Sequence, residues 1–184
     1  MNAKKTAYLV PFQPDALISK DLKISIQIER QQQLLTLYYL VKGDLSSIVL
    51  PPQVPYPIRK DALWKHTCLE AFLSWEQEPF YWEFNFSPSG DWNCYYFDDY
   101  RNNQTTEMRM RTLVRETPHL TNAMYSEKVT IDLSLILPKI MPQKFTLAIS
   151  AVIEGIDQTM HYWALTHKVQ KPDFHLRESF ILTI

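Results

Sequence analysis

Residues 63–101 read LWKHTCLEAFLSWEQEPFYWEFNFSPSGDWNCYYFDDYR, the most informative part of the sequence. It holds four of the five tryptophans and three strand-like segments, HTCLEAFLSW, FYWEFNFS and DWNCYYFDDY. Side chains two residues apart lie on the same face of a β-strand. Glu83 and Asn85 are therefore predicted on one face of the second segment, and Trp82 on the other, in the core. A neighbouring strand is expected to bring Glu70 opposite the two polar residues.

The rest of the chain repeats this short-strand pattern. In LKISIQIE, at residues 22–29, polar side chains alternate with four apolar ones that are predicted to face the core: Leu22, Ile24, Ile26 and Ile28. LLTLYYLV, at residues 34–41, is apolar on both faces, which predicts a central strand paired with its predecessor in a hairpin. Gly90 can take the positive φ of a hairpin turn after the second segment. Four prolines within residues 51–57 predict a loop that crosses between sheets.

Five further strands are predicted at residues 108–115, 123–131, 145–153, 160–165 and 179–184. The first of these alternates arginines with apolar residues, which indicates one solvated face. A short helix is predicted after Asp132, with Asp132 or Ser134 as its cap and Pro138 as its stop. About ten short strands with almost no helical periodicity predict an all-β fold, an antiparallel β-sandwich or jelly roll with one short helix. A single domain over residues 1–184 is expected from the length.

The charge balance argues against nucleic-acid and membrane partners. With 19 basic and 20 acidic side chains the formal net charge is −1, so no global field favours nucleic acid or an anionic membrane. The sequence has no run of about 18 apolar residues that could span a bilayer. Prolines break its first apolar run too early for a secretory signal, and a cytoplasmic location is expected. Cys68 and Cys94 belong to no metal-binding pattern, so we expect reduced, buried thiols, with a cross-strand disulfide left open.

Three motifs together resemble the DOMON-like superfamily: LWKHTCLEAFL at residues 63–73, YWEFNFSPSGDWNCYYFDDYR at 81–101 and HYWALTHKVQKPDFHLRESFIL at 161–182. The likeness covers nearly the whole chain and is close to the family-nine carbohydrate-binding modules. More narrowly, the chain is similar to a bacterial subgroup labelled after UDP-N-acetylmuramate dehydrogenase, a label that does not by itself establish that activity. The resemblance implies a β-sandwich of a kind that binds sugars in some members and haem in others.

The motif residues of the superfamily fall on two segments of this chain. A tryptophan, a short polar step and a glutamate before an aromatic residue correspond to Trp64, His66, Thr67, Glu70 and Phe72. A strand that ends in a small-residue turn corresponds to Trp82, Glu83, Asn85, Ser87 and Gly90. Sugar-binding relatives often have an acidic pair shortly after the tryptophan, and here His66 and Thr67 stand in its place. Calcium binding and the sugar contacts of the relatives are therefore not carried over.

A carbohydrate presents apolar C–H faces and a ring of hydroxyls, so its sites pair an aromatic platform with a few hydrogen-bonding groups. Glu70, Glu83 and Asn85 can accept hydrogen bonds from hydroxyls. The remaining candidate ligand residues are tryptophans for the platform, Trp64, Trp92 and Trp163, arginines as donors, Arg101 and Arg177, and two histidines, His66 and His161. The leading hypothesis is a non-catalytic module without a cofactor, whose partner is a small molecule, a carbohydrate or a related polar compound.

Other functions stay open on the sequence alone. An enzyme acting on a glycan or nucleotide sugar could use Glu70 and Glu83 as paired carboxylates, although the known catalytic and phosphate-binding motifs are missing. Haem needs an axial His, Met or Cys, which the chain has, but no CxxCH motif occurs. No metal is expected, since no two histidines have the i, i+2 or i, i+4 spacing that would let both bind one metal ion. A purely structural or partner-binding domain is expected if the cleft is filled by its own tryptophans.

Overall fold

The computed structural model describes residues 2–75, 78–137 and 144–184, without the side chain of Asn2. Within these residues the chain forms one short α-helix, α1 (Leu17–Asp21), and fourteen β-strands. The strands are β1 (Asn2–Pro11), β2 (Lys23–Gln31), β3 (Leu34–Lys42), β4 (Ile48–Val49), β5 (Cys68–Trp75), β6 (Tyr81–Phe86), β7 (Trp92–Phe97), β8 (Thr105–Thr106), β9 (Val114–Arg115), β10 (His119–Thr121), β11 (Met124–Asp132), β12 (Phe145–Gly155), β13 (Met160–Ala164) and β14 (Leu182–Thr183).

The first sheet has the order β10-β11-β3-β2-β1, with β9 also paired to β11. Its strand pairs are antiparallel, and β2 and β3 form the predicted hairpin with Ile26 opposite Tyr39. The alternation that begins at Leu22 and continues along β2 buries the four apolar side chains that were predicted to face the core: Leu22, Ile24, Ile26 and Ile28. This sheet therefore forms one wall of the core.

The second sheet has the order β13-β12-β5-β6-β7-β8, with β4 and β14 paired to β12. Glu70 on β5 lies opposite Asn85 on β6, and Asn85 lies opposite Asn93 on β7. The turn between β6 and β7 contains Gly90 at φ +103°, as predicted, and a Cβ there would lie 2.8 Å from Pro57 Cγ. The turn thus fixes the register that brings the polar residues of three strands together.

Strand β1 joins the two sheets, because it pairs with β2 along most of its length and with β13 through Val10 and Pro11. One large cluster of buried apolar side chains contains residues of both sheets, among them Ile26 and Leu37 from the first sheet and Leu73, Phe84 and Ile149 from the second. The fold is therefore an antiparallel, all-β sandwich with one short helix, which confirms the predicted class.

The strand predicted at residues 108–115 is wrong over most of its length. The carboxylate of Glu107 accepts hydrogen bonds from the backbone N–H of Arg109 at 3.0 Å and from its guanidinium at 2.6 Å, which folds the chain into a turn. Only the last two residues form a strand, β9. Arg115 does not lie on a solvated face, because it forms an ion pair with the buried Glu127. Of the three arginines, Arg109 and Arg111 are exposed, as a solvated face requires, and only Arg115 is largely buried, with its partner inside the protein.

The helix predicted after Asp132 is a single 3₁₀ turn, Leu133–Leu135. Asp132 caps it as expected, since its carboxylate accepts from the backbone N–H of Ser134 at 3.0 Å. Pro138, the predicted stop, lies outside the described residues. The α-helix is α1 instead. It has only five residues and no side-chain cap, so the sequence carries no clear helix signal there. Strand β1 was also not predicted.

Cys68 and Cys94 are both buried and free. They lie on β5 and β7 with β6 between them, and only Cys94 belongs to the core between the sheets. The two thiols therefore do not form a cross-strand disulfide. The longest helix of the described residues, α1, has five residues, and none of the helices there could span a bilayer.

Candidate functional site

One face of the second sheet is lined by polar side chains that point away from the sandwich core. We call this surface the polar face, and its members are Glu70 of β5, Glu83 and Asn85 of β6, Asn93 of β7 and Ser150 of β12. Glu70, Glu83 and Asn85 are 2%, 5% and 0% exposed. Carboxylates are almost never buried to this degree without a partner. The alternate residues of β6 face the core, as predicted: Trp82, Phe84 and Phe86.

Hydrogen bonds within the polar face reach only one oxygen of each carboxylate. Asn85 Nδ2 donates to Glu83 Oε1 at 2.7 Å, and Ser150 Oγ donates to Glu70 Oε2 at 2.9 Å. Burial and then the charge of Glu83 raise the pKa of Glu70 to about 8. Burial raises the pKa of Glu83 to about 7, although Asn85 and Arg101 act to lower it. The two carboxyl groups therefore retain a proton near neutral pH.

His175 forms one wall of the polar face. Its ring packs edge-on against Phe72 and Phe97, with centroids 5.1 and 5.2 Å away. The backbone N–H of Arg101 donates to Tyr81 Oη at 3.1 Å, and Tyr81 Oη in turn lies 2.8 Å from His175 Nδ1. Burial, and then the charge of Arg101, lower the pKa of His175 to about 3, so the ring is neutral. Its Nε2 lies 3.8 Å from Glu83 Oε2, beyond hydrogen-bonding distance.

Trp64 lies at the opposite wall, on the loop that precedes β5. Trp64 is 37% exposed, and its ring packs edge-on against Tyr95 of β7, with centroids 5.8 Å apart. Tyr95 Oη donates to Asp61 Oδ1 at 2.7 Å, and Asn93 Nδ2 donates to the same oxygen at 2.8 Å. Ala62 takes φ +60°, a left-handed conformation that is strained for alanine and that sets the direction of this loop. The predicted rim position of Trp64 fits this geometry.

The structure places the predicted basic residues around the edge of the polar face. Arg101 lies at the edge, as predicted, and its guanidinium pairs with Asp173 at 3.0 Å. Arg177 lines a cleft of about 350 Å³ together with Tyr81, Tyr100 and His175.

A second cleft, of about 440 Å³, lies at the other end of the strands and is lined in part by Asp61 and His66. His66 Nδ1 lies 2.8 Å from Glu154 Oε2. The described residues contain no group of three or more His, Cys, Asp or Glu side chains that could hold a metal ion.

Three predicted ligand residues lie away from the polar face, which corrects the prediction. Trp92 packs into the core between the sheets, with the guanidinium of Arg59 4.4 Å from its ring centroid. Trp163 is buried in the same core. His161 shares the strand face of Trp163, as predicted, but its Nε2 lies 2.9 Å from Thr159 Oγ1, near the beginning of β13. Side chains alternate between the two faces of a strand, and these three residues occupy positions on the face opposite to the polar face.

The predicted ligand residues did not include those that complete both walls: Asp61, Tyr81, Asn93, Tyr95, Asp173 and His175. Asn93 and Tyr95 had a usable signal, because hairpin pairing of β7 with β6 puts alternate residues of both strands on one face. Asp61 and His175 lie on connecting segments, where no periodicity exists to orient a side chain. His175 reaches the face only because the segment between β13 and β14 folds back across the sheet.

Comparison with solved structures finds similar folds, and two of these proteins align as follows, both at low sequence identity. A protein from Bacteroides uniformis, provisionally described as carbohydrate-binding, aligns over 95% of this chain and 83% of its own, with 15% identity and a TM-score of 0.68. A family-nine carbohydrate-binding module from Caldicellulosiruptor kristjanssonii, in complex with cellotriose, aligns over 88% and 72%, with 12% identity and a TM-score of 0.50. No protein-family profile and no curated protein sequence matches the chain. At these identities the likeness establishes the fold alone.

Proposed function

We propose that this chain is a non-catalytic carbohydrate-binding module that holds its ligand at the polar face. The observation that carries the proposal is the convergence of two carboxyl groups and an amide beside a tryptophan that is 37% exposed. A sandwich core needs none of these groups, and each is costly to bury without a partner. A ligand with several hydroxyl groups would supply such partners.

The chemistry of the face suits a sugar. Glu83 and Asn85 present acceptor oxygens, and a carboxyl group that keeps its proton can also donate to a hydroxyl. Trp64 offers an apolar surface for the C–H face of a sugar ring. The complex of the Caldicellulosiruptor kristjanssonii module with cellotriose supports this choice of ligand class. Membership of the DOMON-like superfamily is part of the same proposal and rests on the three sequence motifs.

Ligand access in this proposal depends on the segment between β13 and β14, which carries His175 over the polar face. The segment is fastened to the loop after β7 by Asp173, whose carboxylate accepts from Tyr100 Oη at 2.5 Å and pairs with Arg101 at 3.0 Å. Tyr100 and Arg101 are exposed, so water competes for these bonds and each contributes little stability. We call the contacts of Asp173 with Tyr100 and Arg101 the clasp. Breaking these contacts would let the segment move away and would expose Glu83 on the side of Tyr81 and His175.

A glycan array followed by calorimetric titration of the best oligosaccharide tests the function. Asn85→Ala is expected to weaken binding by about 1–3 kcal/mol, because the ligand loses a hydrogen-bond partner. Trp64→Ala should weaken binding through loss of the platform. Tyr8→Ala is the matched control, since Tyr8 is an aromatic residue that is 73% exposed on the first sheet.

The opposite result would identify the polar face as a structural network. In that case Asn85→Ala would leave the affinity unchanged and would strongly lower the thermal stability. Failure of every glycan to bind would remove the proposal.

An enzyme acting on a glycan is the second candidate, and one observation favours it. Glu70 and Glu83 lie on adjacent strands, and both carboxyl groups have pKa values raised toward neutrality, as a general acid requires. Incubation with the bound oligosaccharide decides between the two functions. Time-dependent product formation that Glu83→Gln abolishes would establish the enzyme, and binding without turnover would establish the module.

A further inference from the structure

The two carboxyl groups of the polar face differ from the other buried glutamates of this protein. The described residues include four buried glutamates, Glu70, Glu83, Glu107 and Glu127. Glu107 pairs with Arg109 at 2.6 Å, and Glu127 pairs with Arg115 and accepts from Tyr125 Oη at 2.6 Å. In the same parts of the chain, neither Glu70 nor Glu83 has an arginine or lysine within ion-pair distance.

The nearby basic groups do not fill this role. His175 Nε2 lies 3.8 Å from Glu83 Oε2, and its buried imidazole is neutral. The guanidinium of Arg101 forms its ion pair with Asp173, and the side chain of Arg101 is 51% exposed. Arg101 acts from a distance to lower the pKa of both carboxyl groups, but no arginine or lysine of the described residues pairs with either, and burial still leaves both pKa values raised.

Acceptor atoms also outnumber donors on the polar face. Of the four carboxylate oxygens of Glu70 and Glu83, only Oε2 of the first and Oε1 of the second accept a hydrogen bond from the described residues. Among the described residues, Asn85 Oδ1 receives only the weak Sγ–H of Cys68, at 3.7 Å. Three acceptor oxygens on adjacent strands thus lack a full partner. A primary ammonium group has three N–H donors and no acceptor, which matches this deficit in number and in charge.

We propose that the ligand of this site carries a primary ammonium group, and that the preferred carbohydrate is an amino sugar with a free, unacetylated amine. This inference rests on the function proposed above and specifies its ligand. The ammonium group would lie between Glu70 and Glu83 and would restore the pairing that arginines give to Glu107 and Glu127. Charge-assisted hydrogen bonds of this kind are about twice as strong as neutral ones.

The aromatic wall fits the rest of such a ligand. Tyr95 lies directly opposite Glu83 in the register of β6 and β7, and Trp64 packs on Tyr95. A sugar whose amine reaches Glu83 would therefore have the indole of Trp64 within reach of its ring. An aromatic face beside a cation adds a further attraction.

Three oligosaccharides of equal length and β-1,4 linkage test the inference: oligomers of glucose, of N-acetylglucosamine and of glucosamine. They differ only in the group at carbon 2, a hydroxyl, an acetamide or an amine. Calorimetric titration of the natural protein at low salt and neutral pH should show the glucosamine oligomer binding at least about tenfold more tightly than the other two. Added salt should weaken this preference, since it depends on charge.

The double variant Glu70→Gln/Glu83→Gln should lose the preference, and Glu178→Gln, which changes an exposed glutamate, should keep it. Equal or weaker binding of the glucosamine oligomer, or a preference that survives in the double variant, would overturn the inference. If a neutral oligomer binds best, the carbohydrate-binding function stands and only the amine is refuted. If none of the three binds while an acidic or unrelated glycan does, the amine is again refuted, and absence of any glycan binding removes the function as well.

Discussion

Replacement of Glu70 by glutamine tests whether the polar face holds an uncompensated charge. Glutamine has the same shape and keeps an oxygen that can accept from Ser150 Oγ, which lies 2.9 Å from the carboxylate. It cannot ionise, so it avoids the penalty of a buried negative charge beside Glu83. We expect Glu70→Gln to raise the free energy of unfolding at mildly alkaline pH and to leave it nearly unchanged at acidic pH.

The sign follows from proton binding. The pKa of Glu70 rises from 4.5 to about 8 on folding, so between these values the folded state binds more protons than the unfolded state. The stability of the natural protein therefore falls as the pH rises through this window. A tenfold change in the acid dissociation constant on folding corresponds to about 1.4 kcal/mol. Relaxation of the surroundings reduces the total, so a gain of about 2–4 kcal/mol is expected near pH 8.

His175 produces the opposite trend at lower pH. Its pKa falls from 6.5 to about 3 on folding, so stability is lost as the pH falls from 6.5 toward that value. This effect is present in both proteins and cancels when the variant is compared with the natural sequence at each pH.

Urea unfolding followed by tryptophan fluorescence at several pH values measures the difference. Glu178→Gln is the control for loss of a negative charge at an exposed position. A Glu70→Gln protein that is less stable than the natural one at alkaline pH would refute the reasoning, because it would show that the charge of Glu70 is well compensated in the fold.

Three further predictions concern the core, a buried ion pair and the clasp over the site. Ile26→Ala should lower the free energy of unfolding by about 2–5 kcal/mol in urea denaturation, because Ile26 is fully buried; a change near zero would contradict the assigned face. Arg115→Met should cost about 3–5 kcal/mol, since it leaves Glu127 unpaired in the core, and adding Glu127→Gln should recover part of the loss; equal stability of single and double variants would argue against the pair. Asp173→Ala should speed ligand association in stopped-flow measurements by releasing Tyr100, and an unchanged rate would show that the clasp does not control access.

The strand framework could be predicted because it depends on local alternation. The buried face of Ile26, the hairpin turn at Gly90 and the separation of Glu83 from Trp82 all follow from a period of two. Pairing of adjacent strands then brings Glu70 opposite Asn85. The residues of β5 and β6 on the polar face could therefore be predicted from the sequence.

The walls of the site depend on contacts between distant residues, which local patterns do not encode. His175 meets Tyr81 across 94 positions, and Asp61 meets Asn93 across 32. Aromatic type alone misled the assignment of Trp92, whose place in the alternation puts it in the core with Trp82. At residues 108–115 the alternation correctly indicated exposed arginines at Arg109 and Arg111, but it could not show that Arg115 is paired inside the protein.

The most direct test of the central claim is a crystal structure of the protein with the oligosaccharide that binds most tightly in the array. The account predicts a sugar residue at the polar face, with its polar groups within hydrogen-bonding distance of Glu83 and Asn85 and its ring against Trp64. A sugar bound at another surface, with Glu83 and Asn85 still closed under His175, would contradict the account.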